Sequence, residues 1–333
     1  MDAAELLARC DFGDDDELAL GVSGGADSTA MALLAAEAGR SFRIWHVHHG
    51  LRDASDAEVE LVAKLASSLG MPFELRRLEL TDGPDLEATA REARYAVLPP
   101  DVCVAHTADD RAETVLFNLL RGAGLAGVAA PFARVRRPII GLRRAETRAL
   151  CEFTGVAVVD DPMNDDPRFA RVVVRKQLLP AAANALGRDP VPLLNRHADL
   201  VADALIVIQD AAAALDATDT AALRAAPRAV ASESLRQWLM AETGNRLAVD
   251  AASISRVMDV VVGTARATEV EGGFRVARTA GRLRAEPPPG GNEVVASRGP
   301  SDWSAEPPPG GNEVVASRGP SDWSAEPPPG GNE

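Results

Sequence analysis

Short apolar runs alternate with longer amphipathic stretches along the first 180 residues. Leu18-Ala-Leu-Gly-Val22 follows an acidic segment and has the length of a buried parallel strand, and Thr29 to Ala38 has helical composition. Phe42 to Val47 predicts a second strand, Ser55 to Leu69 an amphipathic helix, and Phe73 to Leu80 a third strand with alternating polar and apolar positions. Leu86 to Leu98 predicts a helix stopped by Pro99-Pro100. Val102 to Ala105 is another buried-strand run, with a helix from about Ala108 behind it. Arg137 to Ile140 continues a sheet edge or a linker, and Arg143 to Phe153 predicts a helix. Val156 to Val159 then leads into a loop with defined turns, Asp160 to Arg171, rich in proline and asparagine. Strands alternating with helices in this way predict an α/β fold on a mostly parallel sheet.

The pattern changes at Val191. Leu193 to Leu215, Ala221 to Glu242 and Val249 to Val262 predict helices, and Glu271-Gly-Gly-Phe274 a hairpin turn. From Ala285 a 20-residue unit, AEPPPGGNEVVASRGPSDWS, occurs twice without change and begins a third time. Its density of proline and glycine predicts a disordered tail, and perfect identity points to tandem duplication or a sequence artefact before a folded repeat.

A length of 333 residues accommodates two domains, and 46% hydrophobic residues support a globular body. No apolar run approaches the ~18–20 residues of a membrane span, so a cytoplasmic protein with no membrane partner is expected. Cys10, Cys103 and Cys151 are widely spaced without a CxxC pair, which suggests neither a zinc site nor a disulfide framework. Net charge is −14, but the tail contributes eight acids against two arginines, so the chain ahead of it carries −8. Between Arg121 and Arg148 stand seven arginines against one acid, Glu146, and a second basic run follows at Arg168, Arg171, Arg175 and Lys176. That band restores nucleic acid as a partner class, against the simpler reading of a solvated face.

The chemistry centres on Gly21-Val-Ser-Gly-Gly-Ala-Asp-Ser-Thr29, at the junction of the first strand and helix. Gly24 and Gly25 allow a sharp turn that brings backbone N–H groups up to an anion, and the helix adds its unpaired donors and positive dipole end. Ser23 and Ser28 add hydroxyls. Asp27 would repel phosphate unless Mg²⁺ stood between them, so the stretch reads as a Mg-nucleotide cradle. It lacks the lysine of a Walker loop and the third glycine of a dinucleotide fingerprint. His46, His48 and His49 follow the second strand with no acidic or thiol ligand at a useful spacing, so they are expected to line a nucleotide crevice and not to hold metal. On the helix from Ala108, Asp110, Glu113, Thr114 and Phe117 share one face. Two carboxylates there, beside His106 at a strand end, can clamp an ammonium or a metal; the plainer alternative is a charged first turn complementing the dipole.

The motif SGGADS resembles the pyrophosphate loop of the N-type ATP pyrophosphatases. After it come HVHHGLR, AHTADDRAETVLFNLLRGAGLAG, RPIIGLRRAE and DDPMNDDPRFAR, in that order. Together they resemble the tRNA(Ile)-lysidine synthases, over about Leu18 to Pro180 and more weakly to about Arg284. The resemblance implies a doubly wound PP-loop domain over 1–185, a smaller helical tRNA-holding domain over 190–284, and the repeat tail over 285–333. It implies ATP and Mg²⁺, free L-lysine, and an isoleucine tRNA with a CAU anticodon whose wobble cytidine is adenylated at its C2 oxygen and then attacked by the lysine ε-amine. Ser23, Gly24, Gly25, Ala26, Asp27 and Ser28 match the ATP loop, with Asp27 toward Mg²⁺. His106, Asp110 and Glu113 match the second motif, where lysine and ATP meet.

A free lysine ε-amine has a pKa of about 10.4 and must lose a proton before it attacks. A carboxylate against that ammonium raises the pKa further unless the carboxylate takes the proton itself. Asp110 and Glu113 are therefore expected to hold lysine, with one of them acting as base. Arg121, Arg143, Arg144, Arg168, Arg171 and Arg175 are candidates for phosphate or tRNA contact, those in the Asp160 to Arg171 loop alternatively pairing with its acids. Where the family usually has Asn after the position of Arg171, this chain has Val172. A homodimer is left open, and a thiolase of the same superfamily or a non-catalytic tRNA-binding protein on a decayed nucleotide fold are the rival readings.

Overall fold

The computed structural model describes residues 3–48, 55–78, 93–129, 135–159, 170–244 and 249–288. Strands β1 (Leu18–Gly21), β2 (Phe42–His48) and β3 (Phe73–Arg77) pair in parallel in that order, with Leu18 opposite Phe42 and Ile44 opposite Phe73. On the other side of β1, Leu20 bridges in parallel to Cys103, and Cys103 to Arg136. The Gly21 N–H donates to the Cys103 carbonyl at 2.9 Å, and the Val104 N–H to the Arg136 carbonyl at 2.8 Å. The expected strand at Val102 to Ala105 is thus one bridge wide, and Arg136 is its outer neighbour. From β1 the chain goes first to β2 on one side and later returns to Cys103 on the other. The carboxyl end of β1 is therefore the switch point, where open α/β sheets leave a crevice.

Helices cover both faces of this sheet. Leu18, Leu20, Phe42 and Ile44 are buried against α2 (Ala26–Glu37) and α3 (Ser55–Leu69), through Met31, Leu34, Val62 and Leu65. On the opposite face Ala19, Trp45 and Val47 meet Leu98 and Tyr95, the latter on α4 (93–97). Burial on both faces is what a parallel sheet requires, and it makes the arrangement doubly wound. The rest of the helix expected over Leu86 to Leu98 lies outside the described residues. A short α1 (Ala3–Leu7) packs its Leu6 into the first core.

Next come α5 (Ala108–Leu120), α6 (Leu125–Val128) and α7 (Arg144–Thr154). Thr107 caps α5, its hydroxyl accepting from the Asp110 N–H while the Asp110 carboxylate accepts the Thr107 N–H. At α7 the Glu146 carboxylate accepts the Arg143 N–H at 2.7 Å and the Asp109 carboxylate accepts the Arg144 N–H at 2.8 Å. Two carboxylates thus satisfy the positive end of α7. Beyond the loop, α8 (Ala170–Val173) widens into a π turn at Val174–Leu178 before α9 (Leu179–Leu186). Pro180 causes the widening: it has no N–H for the Lys176 carbonyl, and the Leu179 N–H reaches back five residues to Val174.

The 23-residue α10 (Val191–Ala213) buries Val191, Ala198, Leu205 and Ala212 along one stripe. Its first turns pack on α5 and α6 through Val115, Val128 and Ala198, so the segment read as a separate module begins inside the packing of the first. The single helix expected over Ala221 to Glu242 is two, α11 (Thr220–Ala225) and α12 (Arg228–Thr243). Ala226, extended ahead of Pro227, breaks it. Helix α13 (Ala251–Val262) and an antiparallel sheet of β4 (Ala267–Val270), β5 (Phe274–Thr279) and β6 (Arg282–Glu286) complete a second core around Leu235, Leu239, Val257, Val260 and Val276. The expected hairpin turn is present, with Gly272 and Gly273 both at positive φ. Strand β6 includes Ala285 and Glu286, the first two residues of the repeat; the tail from 289 onward lies outside the described residues. Among the described residues no helix is long and apolar enough to cross a membrane.

Candidate active site

At the carboxyl end of β1 the chain turns through Ser23, Gly24 and Gly25 into α2. Gly24 has φ +93°, a conformation that glycine adopts without strain. Its carbonyl accepts the Val159 N–H at 2.9 Å, which ties the loop to the segment after α7. The Ser28 hydroxyl donates to the Gly25 carbonyl at 3.0 Å and accepts the Ser23 N–H at 3.1 Å, so the turn is braced from inside. Gly25 supplies no side-chain cap to α2. Beside the loop lies a cleft of about 280 Å³, lined by Val22, Ser23, Gly25, His46, Arg94 and Val159 among others. His46 is 2% exposed and donates from Nδ1 to the Val22 carbonyl at 2.8 Å. Burial pushes its pKa down, so it is a neutral wall of the cleft. His49 lies outside the described residues. Gly24→Ala should lower unfolding free energy by about 1–2 kcal/mol in a urea titration, because the methyl meets only ordinary contacts with Val62 and Val159 at 3.4–3.5 Å and the cost is the left-handed backbone.

Asp27, in the first turn of α2, faces α7. The Thr147 hydroxyl donates to its Oδ1, and Arg144 Nε stands 3.7 Å from its Oδ2. The same Arg144 donates from Nη2 to Asp110 Oδ1 at 2.6 Å and from Nη1 to Glu113 Oε1 at 2.9 Å. One guanidinium thus gathers three carboxylates from two helices with 70 residues of chain between them. Arg175, carried on the π turn, brings its Nε to 3.6 Å from Glu113 Oε1. Among the described residues no group of three or more His, Cys, Asp or Glu side chains is placed to hold a metal ion.

The three carboxyls differ. For Asp110, burial alone would raise the pKa, but the Arg144 charge and the hydrogen bonds from the Thr107 N–H and hydroxyl outweigh it and hold the group below the ordinary carboxylate value. Glu113, 4% exposed, is pushed up by burial; Arg144 opposes this and the Asp110 charge adds to it. Asp27 is likewise raised by burial, against the Thr147 hydrogen bond and with the Asp110 charge adding to the rise. Asp110 is a fixed anion with both oxygens engaged, and Glu113 is the member of the pair able to take up a proton.

The arginines singled out in the sequence are divided. Arg143 pairs with Asp109 at 2.9 Å and with Asp189. Arg144 lies in the acid cluster, and Arg121 sits over the Phe117 ring at 5.1 Å. Arg171 is exposed at the start of α8, and Arg168 lies outside the described residues. Val172 is 4% exposed and packs as an apolar residue in that helix. Three residues escaped the sequence reading. Thr147 holds Asp27, Thr107 holds Asp110, and Arg137 donates from Nε to His106 Nδ1 at 2.8 Å. Thr107 carries a local sign, a Thr-x-x-Asp spacing at a helix start; Thr147 and Arg137 act across long separations and leave none. Burial raises Cys10, Cys103 and Cys151 each to about 11, so the thiols stay protonated and a sulfur-transferring chemistry finds no activated cysteine.

A family model described as a PP-loop domain matches residues 3–182. The chain is 35% identical over 312 residues to a tRNA(Ile)-lysidine synthase of Salinispora tropica, covering 84% of this chain and 94% of that one. It is 38% identical over 259 residues to a tRNA(Ile)-lysidine synthase of Bordetella pertussis, covering 68% and 80%. Among solved structures it is similar to a U34-tRNA thiolase of Methanococcus maripaludis, at 16% identity and a TM-score of 0.47, over 60% of this chain and 77% of that one.

Proposed function

The chain belongs to the tRNA(Ile)-lysidine synthase family, and we propose that it joins free L-lysine to C2 of the wobble cytidine of an isoleucine tRNA with a CAU anticodon, cleaving ATP to AMP and pyrophosphate. The observation that carries the reading is the convergence of Asp27, Asp110 and Glu113 on one guanidinium beside the phosphate loop. A site of three carboxylates filled by a cation is suited to receiving an ammonium, and here it adjoins a turn suited to phosphate.

Residue roles follow from the same geometry. The loop from Ser23 to Ser28, with the uncapped first turn of α2, would hold the ATP phosphates through backbone N–H groups. Asp27 is the residue that would hold Mg²⁺: its Oδ2 has only a 3.7 Å ion pair to give up, and a single carboxylate suffices where substrate phosphates complete the shell. The ion would neutralise charge developing on the phosphates. Asp110 anchors the lysine ε-ammonium, and Glu113 accepts its proton, leaving the amine nucleophilic. Lysine then shares the carboxylates with Arg144 or displaces it. Residues 1–185 would carry this chemistry and 190–284 would hold the tRNA.

The deciding experiment incubates the protein with ATP, Mg²⁺, radiolabelled lysine and bulk tRNA and counts label in RNA before and after mild alkali. A base modification survives alkali and an aminoacyl ester does not, so alkali-stable label is the expected result. Pyrophosphate released without stable label would leave adenylation standing and remove lysine as the nucleophile.

A further inference from the structure

We propose that Arg137 is a positioning residue that holds His106 neutral with its one ring proton on Nε2, so that His106 serves the site as a hydrogen-bond donor and not as a proton acceptor through Nδ1. The place of His106 in a site for lysine and ATP rests on the function proposed above; its protonation pattern does not.

Cys103 and Arg136 are parallel partners, so the chain leaves the sheet at the same end from both, and His106 and Arg137 emerge side by side. Arg137 is anchored there by its Nη1, which donates to the Val135 carbonyl at 2.7 Å. Its Nε is then 2.8 Å from His106 Nδ1. A guanidinium nitrogen only donates, because arginine keeps its proton at any pH a folded protein meets. His106 Nδ1 must therefore accept, and its lone pair cannot also hold a proton. A neutral ring in that position carries its hydrogen on Nε2.

Two charges flank the ring and act in opposite directions. The Arg137 cation in contact with the ring opposes an imidazolium. Asp110, the anion that would favour one, has its oxygens engaged by Arg144 and by the Thr107 N–H and hydroxyl. A neutral Nε2–H donor suits an oxygen that gains negative charge, and both a phosphate oxygen and the cytosine C2 oxygen answer to that description. His106 would stabilise such an oxygen without carrying a charge of its own into a site already rich in arginine.

The test uses the full chain labelled with ¹⁵N-histidine. Long-range ¹H–¹⁵N correlation spectra report which ring nitrogen of each of the five histidines bears the proton, and a His106→Gln variant assigns the signal by its loss. The expected result is an Nε2–H pattern for His106 that does not change between pH 6 and pH 9. Arg137→Met should let the ring titrate near the ordinary pKa of about 6.5 and sample both tautomers. Turnover should fall about 100-fold, the cost of one misplaced transition-state donor, and Arg137→Lys, which keeps a cationic donor, should recover part of the loss. In the His106→Gln background, Arg137→Met should cost little more, because the two residues act as a unit. A proton on Nδ1 in the unaltered protein would overturn the proposal even if Arg137→Met failed to fold. So would losses from the two substitutions that simply multiply. A clean Nε2–H pattern in a protein that transfers no lysine would leave the tautomer assignment standing and reject the function it was placed in.

Discussion

Asp27→Asn should slow pyrophosphate release from ATP by about 10³-fold while the protein melts no lower than before. The loss follows from charge. Asn keeps the size of Asp27 and can still accept from the Thr147 hydroxyl, but it brings no negative charge to a divalent cation, and a metal clamp on phosphates is worth several kcal/mol of transition-state stabilisation. The unchanged melting follows from the direction of the Asp27 pKa. Burial raises it above the ordinary carboxylate value, so the folded state binds this proton more readily than the unfolded state does. Stability from that group is fully present below its unfolded pKa and is lost as pH rises through the folded one. At neutral pH the ionised Asp27 is therefore a cost to folding, and replacing it with a neutral amide removes the cost. Pyrophosphate release and calorimetric melting at pH 8 decide the matter together. Loss of activity with a melting temperature several degrees lower would mean that Asp27 supports the fold; full activity would remove it from the site.

The same residue shows what the chain discloses before it is folded. Ser23 to Ser28 could be placed at a strand-to-helix junction because both neighbours carry local signals, a short apolar run and a helical composition, and the structure has β1 and α2 on either side. Asp110 and Glu113 could be set on one helical face from their spacing alone. Arg144 could not be placed. Nearby charges set it in a basic band as a candidate for phosphate or tRNA contact, but its partners Asp110, Glu113 and Asp27 lie 34, 31 and 117 positions away, and only the tertiary fold, with α7 packed on α2, brings them together. Arg136 and Arg143 likewise pair with acids distant in sequence, Asp15 and Asp189, which a local count of charges does not show. The division of the helix expected at Ala221 to Glu242 is legible, by contrast, since Pro227 stands inside it and disfavours helical backbone at Ala226.

Glu113→Gln should separate the two halves of the reaction. Lysine incorporation into tRNA is expected to fall between about 10² and 10⁴-fold, the range for loss of a general base, while a first turnover still releases pyrophosphate. The asymmetry between the carboxyls requires this. Asp110 is held below the ordinary carboxylate value by Arg144 and Thr107, which outweigh its burial, so it gains little by accepting a proton. Glu113 is raised by burial, with the Asp110 charge adding to the effect, and so has the higher affinity for the proton that lysine must shed. The substitution preserves an oxygen for Arg144 Nη1 and leaves the phosphate loop untouched, which is why adenylation should persist. The pH profile carries the sign. Below the raised pKa of Glu113 the base is already protonated, so the lysine-transfer rate of the unaltered enzyme should fall on the acid side, and Glu113→Gln should lose that limb along with the rate. An equal loss in both half-reactions would assign Glu113 to the shared electrostatics of the cluster. A rise in the lysine KM at unchanged kcat would make it a second anchor beside Asp110, and the proton would then need another acceptor.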